Sequence, residues 1–348
     1  MNPLEKLTIT SELLRQVAEL DEFKGRWNDL GKLAPERLSA FRRIATIQSV
    51  GSSTRIEGAK LSDGEVERLL SGLSLDSFRS RDEQEVAGYA ETMELIFESW
   101  NEIPLTENHI KQLHGRLLRH SQKDERHRGQ YKTLLNSIEA FDAEGKSLGI
   151  IFETASPFDT PRLMEALVGW ASEALSGREH HPVLVIAVFV VRFLAIHPFQ
   201  DGNGRLSRIL TTLLLLRAGY AYVQFSSLER VIEDNKDGYY VSLRRAQATL
   251  DKDESGLQDW IAFFLRCLIL QKDALEGRLE KERLAAGLAP LSERLLQIAR
   301  EQGRLTMAAA VRITAANRNT VKVHLRRLAE SGRLVKHGRG RGTWYVGG

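Results

Sequence analysis

Residues 197–208 read His-Pro-Phe-Gln-Asp-Gly-Asn-Gly-Arg-Leu-Ser-Arg. This stretch holds an imidazole (His197), a carboxylate (Asp201), two glycines (Gly202, Gly204) and two guanidiniums (Arg205, Arg208). One apolar run, Pro182 to Ile196, precedes it, and a second, Ile209 to Leu216, follows. Polar density of this kind between two buried segments is costly unless a site is built there.

Each residue type has a use. Gly202 and Gly204 permit backbone conformations with positive φ and let a ligand approach the main chain closely. The run Leu206–Leu216 has helical length, so the glycines lead into a helix N-terminus, where free N–H groups and the dipole favour an anion such as phosphate. Arg205 and Arg208 stand three apart, which places both guanidiniums on one side near that anion, and arginine donates to phosphate bidentately. Asp201 beside a polyphosphate is most simply a ligand for Mg²⁺, which takes few carboxylates and shares phosphate oxygens. His197 is the nearby group whose ordinary pKa suits proton abstraction. A helix cap and a plain turn would explain a lone His-Pro or Gly-x-Gly, but not all six residues together. The stretch is no Walker A loop, lacking Gly-Lys-Ser/Thr, and no dinucleotide fingerprint, lacking the third glycine.

The same residues resemble the motif His-Pro-Phe-x-Asp-Gly-Asn-Gly-Arg-x-x-Arg of Fic-domain proteins at every specified position. The resemblance implies a mainly α fold, a helical bundle with a small β-hairpin flap, that transfers AMP from ATP to a hydroxyl of a target protein. In that family the histidine deprotonates the hydroxyl and the acidic residue holds Mg²⁺. Here those would be His197 and Asp201. The ATP site would then comprise His197, Gly202, Asn203, Gly204, Arg205, Leu206, Ser207 and Arg208, with Arg208 reaching the terminal phosphate. Upstream, Ser53-Thr54-Arg55-Ile56-Glu57-Gly58 is similar to the Ser/Thr-x-x-x-Glu-Gly/Asn inhibitory motif of members that carry their inhibitor N-terminally. That likeness implies an inhibitory helix around 53–58, with Ser53, Glu57 and Gly58 as its key residues. Glu57 would pair with Arg208 against the ATP γ-phosphate. The spacing agrees: Ser53 and Glu57 share a helical face, Gly58 suits a C′ position, and a carboxylate at a helix C-terminus seeks a cation elsewhere.

Two further stretches extend the resemblance. Gly129-Gln130-Tyr131-Lys132-Thr133 through Pro157 looks like the entry to the flap, placed at about 132–157, which would hold a target segment by strand addition. Asn136–Phe141 and Ile150–Thr154 are strand-like around the turn-rich 142–146. Lys132 stands where many members have Arg and receives no role. Tyr239-Tyr240 with Gln247 looks like the region closing on adenine, which assigns Tyr240 to the nucleotide.

The chain has 348 residues with 42% hydrophobic and 27% charged, as expected of a globular protein with two or three domains. One cysteine, Cys267, excludes a disulfide framework and reads as a buried thiol in a reducing cytoplasm. Met1–Glu22 lacks the apolar core of a signal peptide, and the Val183–Ile196 run, with Arg192 inside it, is too short for a membrane span. A cytoplasmic location without membrane contact is expected.

Helical periodicity marks Leu38–Val50, Gly64–Leu70, Glu83–Phe97, Thr106–Leu118 and Leu163–Leu175. The expected divisions are an N-terminal segment 1–82 carrying the inhibitory helix, a catalytic core 83–271, a charged helical linker 272–290 and a C-terminal domain 291–348. That last part holds twelve Lys/Arg against three acids, which leaves the preceding body acidic. Three helical stretches, Leu291–Glu301, Thr306–Ile313 and Asn319–Ser331, precede two strands that flank Gly338–Gly342. This order resembles a winged helix. Its recognition helix would offer Arg318, Lys322, Arg326 and Arg327 to DNA, with Arg339 and Arg341 on the wing meeting phosphates. A winged helix used for protein contact or homodimer formation is the other reading.

The sequence therefore predicts a protein adenylyltransferase using ATP and Mg²⁺ on a Ser, Thr or Tyr hydroxyl, its own included, and held off by Glu57. Two alternatives stand beside it: a hydrolase that removes AMP with the help of Glu57, and a DNA-binding regulator whose Fic core is a sensor.

Overall fold

In a computed structural model the described residues are 4–5, 7–30, 35–72, 78, 80–141, 147–177, 179–250, 255–286, 290–338 and 340–348. They divide into two compact units, Met1–Leu275 and Glu276–Gly348. Helices dominate both, as the 3.6-residue periodicity predicts.

The first unit begins with α1 (Ser11–Leu30), α2 (Pro35–Ile56), α3 (Asp63–Ser71), α4 (Arg81–Ser99) and α5 (Glu107–Leu117). An antiparallel hairpin, β1 (Ile138–Phe141) and β2 (Ser147–Phe152), pairs Ile138 with Phe152 and Phe141 with Ser147. It falls inside the segment expected to be the flap. Then come α6 (Thr160–Ser176), α7 (Pro182–Ile196), α8 (Asn203–Arg217), α9 (Leu228–Asp234), α10 (Lys236–Thr249) and α11 (Ser255–Ala286), whose last residues run into the second unit.

The core is organised around α7. Nearly every residue from Val183 to Leu194 is buried, so the helix has no solvent face and its Val/Ile/Leu/Phe content serves packing on all sides. Each such side chain, fully buried, contributes about 1.5–3 kcal/mol. Proline at the first helical position starts α7, and His197 ends it in the left-handed conformation, φ 52°. Trp260 of α11 donates its indole N–H to the Ala187 carbonyl at 2.8 Å, which ties α11 to this centre.

The described residues of the N-terminal segment 1–82 pack on the helices that follow. Leu13, Leu20, Phe23 and Trp27 of α1 are buried, with Phe23 edge-on to Tyr222 at 4.8 Å. Asp21 accepts from the Tyr220 hydroxyl at 2.6 Å, and Lys272 pairs with Glu19 at 2.8 Å. The expected linker 272–290 is likewise no separate helix, because α11 carries it through to Ala286; residues 287–289 lie outside the described ones. The segment expected to be inhibitory is the C-terminal end of the 22-residue α2, which runs past Val50 because Ser52, Ser53 and Thr54 are all buried. Thr54 turns its hydroxyl back to the Val50 carbonyl, which lets a polar residue sit inside. The helix stops at Ile56. Gly58, at φ 103°, closes it in a Schellman turn: Gly58 N–H donates to Arg55 O and Ala59 N–H to Thr54 O.

The second unit orders α12 (Pro290–Gln302), β3 (Leu305–Thr306), α13 (Met307–Thr314), α14 (Arg318–Glu330), β4 (Leu334–His337) and β5 (Trp344–Gly347). The strands form a three-stranded antiparallel sheet in the order β3-β5-β4. Two of them were legible as strands. The third, β3, is two residues long and too short to leave an alternation, and Thr306 also caps α13. A core of Leu295, Ile298, Ala299, Leu305, Ala310, Val321, Leu325, Leu328, Leu334 and Tyr345 supports this unit. Among the described residues, no helix is long and apolar enough to cross a membrane.

Candidate active site

The loop between α7 and α8 is built by side chains that fold back on its own backbone. Asn203 accepts from Phe199 N–H at 2.9 Å and donates to Phe199 O at 2.7 Å, closing residues 199–203 into a tight turn. Gly202, at φ 79°, is the last residue before α8 and takes a conformation that side chains rarely adopt. The expected helix thus starts three residues earlier than its apolar run, and the loop delivers the free N–H groups of its first turn. Leu206 packs into the core and Ser207 donates to Gly204 O at 2.8 Å, so at these two positions only the main chain is left to meet a ligand.

His197 has its Nδ1 3.4 Å from the Leu194 carbonyl. A proton on Nδ1 points there and leaves the Nε2 lone pair for a substrate. Burial pushes the His197 pKa down to about 4, so the imidazole is neutral and able to accept a proton at pH 7. Its left-handed backbone is strained for a residue with a side chain. Four successive carbonyls around it are held from outside the loop. Lys132 Nζ donates to Ile196 O at 3.0 Å, Asn136 Nδ2 to His197 O at 3.2 Å, Lys132 N–H to Pro198 O at 2.8 Å, and Asn136 Nδ2 to Phe199 O at 2.6 Å. Lys132 also donates to Asn136 Oδ1 and Thr154 Oγ1, at the two feet of the hairpin. Burial lowers its pKa to about 8. Lys132, given no role by the sequence, fixes the loop and the hairpin together; no motif announces this, because lysine and arginine look alike in a pattern.

Asp201 is surrounded by donors. Gly202 N–H and Arg205 Nη2 meet its Oδ1 at 2.5 and 3.2 Å, while Lys123 and Arg81 meet Oδ2 at 3.3 and 3.4 Å. Burial alone would raise its pKa; Arg205, the Gly202 N–H and Lys123 outweigh burial and hold it below the ordinary value. Behind the loop, His114 stacks on Phe199 at 3.8 Å. Its Nδ1 accepts from Gly129 N–H, so its Nε2 must be the N–H that reaches Asp201 O at 2.9 Å.

The two arginines do not share one side. Arg205 is buried between Glu85 of α4, 3.0 Å away, and Asp201. These carboxylates hold it behind the loop, against the expectation from its three-residue spacing to Arg208. Arg208 points the other way, toward the end of α2. Its Nε donates to Ser53 Oγ at 2.8 Å, and its Nη2 to Ser53 O at 3.0 Å and Glu57 Oε1 at 2.8 Å. Burial would lower its pKa, but Glu57 reverses the sign and raises it. Arg208 Nη1 is buried without a hydrogen-bond partner. The Glu57 carboxylate lies directly over Gly204: a Cβ built there would come within 2.2 Å of Oε1. Glu57 thus rests where the glycine turn opens to an anion. Gly58 touches nothing in this cluster and serves the turn. Tyr240 is half-buried, its hydroxyl 3.5 Å from Ile56 O, so it borders the Glu57 end of α2.

Residues 104–215, which contain this loop, match the Fic/DOC family model. The chain carries a Fic domain. Residues 286–343 match a second model, described as a bacterial protein of unknown function (DUF977). Protein adenylyltransferase Fic of Drosophila grimshawi is 26% identical over 255 residues, 73% of this chain and 47% of the fly protein. The Drosophila yakuba protein of the same name is 28% identical over 228 residues, 65% and 41% of the two chains. The chain spans about half the length of the curated relatives it matches. Among solved structures, a Fic family protein from Desulfovibrio desulfuricans is 25% identical with a TM-score of 0.62, covering 98% of this chain and 97% of its own. A Fic domain containing signaling protein from Bacteroides thetaiotaomicron is also 25% identical, with a TM-score of 0.59 over 75% and 97% of the chains.

Proposed function

We propose that the protein is a self-inhibited protein adenylyltransferase that moves AMP from ATP to a Ser, Thr or Tyr hydroxyl of a protein, its own included. The observation that carries this reading is the Glu57 carboxylate, paired to Arg208 at 2.8 Å and lying over Gly204. A carboxylate occupying an anion cradle marks that cradle as one built for a stronger anion. The adenylyltransferase name of the fly relatives supports the choice of AMP and ATP.

In this mechanism the neutral His197 accepts the proton of the target hydroxyl. The hydroxyl oxygen bonds to the α-phosphorus, the bond to the bridging oxygen breaks, and pyrophosphate leaves with its electron pair. The N–H groups of Asn203, Gly204 and Arg205 and the start of α8 stabilise the phosphates. Arg208, once freed from Glu57, binds the terminal phosphate, and Tyr240 lies beside the nucleotide. Asp201 would hold Mg²⁺. Its carboxylate fits, since it is kept charged and its Oδ2 meets only exposed, movable cations, Arg81 and Lys123. No cluster of three His, Cys, Asp or Glu suited to a metal occurs among the described residues, so phosphate oxygens and water would complete the shell. Bound there, the ion would neutralise phosphate charge.

The test is mass spectrometry of the protein and of added hydroxyl-bearing protein after incubation with ATP and Mg²⁺. An AMP adduct that disappears in His197→Ala supports the reading; a different adduct, or none in the Glu57→Gly protein, ends it.

The second unit favours a DNA-binding role alongside. Arg318, Lys322, Arg326 and Arg327 are exposed on α14, whose opposite face, Val321, Leu325 and Leu328, is buried. An α-β-α-α-β-β order with a basic third helix suits a winged helix in a major groove. Arg339 and the Arg341 side chain lie outside the described residues. Gel shifts with the full chain at low and high salt, compared with Arg318→Glu/Lys322→Glu, decide it; no low-salt shift removes DNA as a partner.

A further inference from the structure

Arg55 stands two residues from both Ser53 and Glu57, on the side of α2 away from the pair that meets Arg208. Each nitrogen of its guanidinium donates. Nε and Nη2 form a fork-to-fork pair with Glu233 of α9, at 2.6 and 2.9 Å. Nη2 also reaches Asp63 Oδ1, at the start of α3, at 2.9 Å, and Ser52 Oγ at 3.3 Å. Nη1 donates to Leu61 O at 2.8 Å. One turn earlier in α2, Gly51 leaves room for this: a Cβ there would come within 2.7 Å of Arg55 Nη1 and 2.8 Å of Asp63 Oδ1. Glycine inside a helix is unfavourable relative to alanine, and here the missing methyl is what admits the contact. The far side of the turn is fastened too. Lys60 N–H donates to Asp82 Oδ2 of α4 at 2.8 Å, and Ser62 and Glu65 close a capping box at the start of α3. The turn 57–61 is thus strung between α2 and α3, and Arg55 bridges its two ends while gripping α9.

We propose that Arg55 is the positioning residue of the inhibitory contact: seated over Gly51 and clamped by Glu233 and Asp63, it holds the end of α2 so that Glu57 stays over Gly204. This deepens the reading of Glu57 as the inhibitor of an ATP site and rests on it. Glu57 needs such help. Its side chain is 35% exposed, so water screens its pair with Arg208, and a carboxylate at a helix C-terminus works against the dipole. Arg55, in the last turn of α2, is a cation where the dipole favours one. Its partners Glu233 and Asp63 are themselves partly sheltered, and Arg230 adds a second cation 3.6 Å from Asp63. Glu233 lies two residues before Asn235, which ends α9 and starts α10, the helix that carries Tyr240. The clamp therefore couples the Glu57 turn to the α9–α10 corner on the nucleotide side of the site.

The experiment measures ATP binding by calorimetry in Arg55→Met, Glu233→Gln and Gly51→Ala proteins, each with Glu57 in place and each in the Glu57→Gly background. With Glu57 in place, each variant is expected to tighten the ATP Kd about fivefold, part of the gain that removing Glu57 gives. In the Glu57→Gly background the same substitutions should change it less than about twofold, because no inhibitor is left to position. Gly51→Ala keeps every charge, and its methyl meets only the flexible ends of two side chains, so it tests the clamp should Arg55→Met fail to fold. Equal shifts in both backgrounds, or an ATP Kd that does not tighten with Glu57 in place, overturn the clamp. A second arm needs no nucleotide: a double-mutant cycle of Glu233→Gln and Glu57→Gln in urea unfolding. Coupling that changes the folded-to-unfolded ratio by about threefold or more is expected, and additive effects overturn the clamp. Should Glu57→Gly protein bind ATP no more tightly than the wild type, the inhibitory reading itself fails, and the cycle alone decides whether Arg55 and Glu233 hold Glu57.

Discussion

In the Glu57→Gly protein, Arg208 loses a carboxylate 2.8 Å from its Nη2. Opposite charges about 4 Å apart attract by about 4 kcal/mol at an effective dielectric near 20. The Arg208 side chain is 4% exposed but that of Glu57 is 35% exposed, so water screens one end of the pair. Screening brings the contribution to about 2 kcal/mol. A terminal phosphate that takes over Arg208 must first give up that amount, and so ATP binding to the wild type is weakened by a factor of about 30. The substitution is therefore expected to tighten the ATP Kd about 30-fold while destabilising the nucleotide-free protein by about 1–3 kcal/mol, because a buried guanidinium is left without its partner. The two effects have opposite signs, which sets this site apart from ordinary core damage. Calorimetric titration reads the first, and thermal unfolding with and without saturating ATP reads the second. With ATP present the unfolding midpoint should recover, since a ligand bound only by the folded state stabilises it. Lower stability with an unchanged ATP Kd would refute the reasoning: the ion pair would then be structural and would lie off the phosphate path.

Gly204→Ala places a methyl 2.2 Å from Glu57 Oε1. It should dislodge Glu57 and lower the unfolding midpoint, yet show none of the gain in ATP affinity by titration, because the methyl also fills the cradle. Lys132→Met removes donors to Asn136, Thr154 and Ile196 O. A loss of about 1–3 kcal/mol in urea unfolding is expected from the acceptors left behind. In the Glu57→Gly background kcat should fall while the ATP Kd stays within about twofold, since the loop around His197 loosens and the phosphate cradle does not. Stability should also depend on pH at both ends. Lys132 is lowered from 10.5 to about 8, so the unfolded chain binds more protons over that window and stability rises with pH across it. His114 is lowered from 6.5 to about 4, so stability is lost as pH falls through that range. Protonation would also take the acceptor from Gly129 N–H. Unfolding midpoints against pH should show the acid slope reduced in His114→Gln and the alkaline rise absent in Lys132→Met.

The parts of this architecture that were legible in the sequence are those where one residue type has one physical use. The run Pro182–Ile196 has no polar face, so it must be central, and its proline start and His197 end bound it. Gly202 and Gly204 announce a turn with close backbone approach. Glu57 and Arg208 lie 151 residues apart, and their pairing was legible only through the resemblance of their two motifs to a known family. The residues themselves said no more than that a carboxylate at a helix C-terminus seeks a cation. Arg205 shows the limit of that argument. Spacing on a helix says which residues share a face, but the choice between an anion in front and Glu85 behind belongs to tertiary packing. The two-residue β3 and the true length of α2 were hidden for a related reason. Buried Ser52, Ser53 and Thr54 look like a helix end until Thr54 donates to Val50 O and the two serine hydroxyls accept from Arg55 and Arg208.

Lys132 and Asn136 left no signal because their work is done on main-chain carbonyls, which every residue possesses. Yet they explain how His197 can hold a left-handed φ of 52°. A conformation of this kind costs of order 1–3 kcal/mol and persists only where surrounding bonds over-determine it. Four donated bonds to the carbonyls of residues 196–199 do so here. All four come from Lys132 and Asn136, in the segment that leads into β1, so the strain at His197 and the placement of the hairpin are one constraint. A segment that seats itself along the hairpin would be presented to an imidazole already fixed in place. In the proposed mechanism His197 would need no rearrangement at the moment of proton transfer, and inhibition would then rest on Arg208 alone.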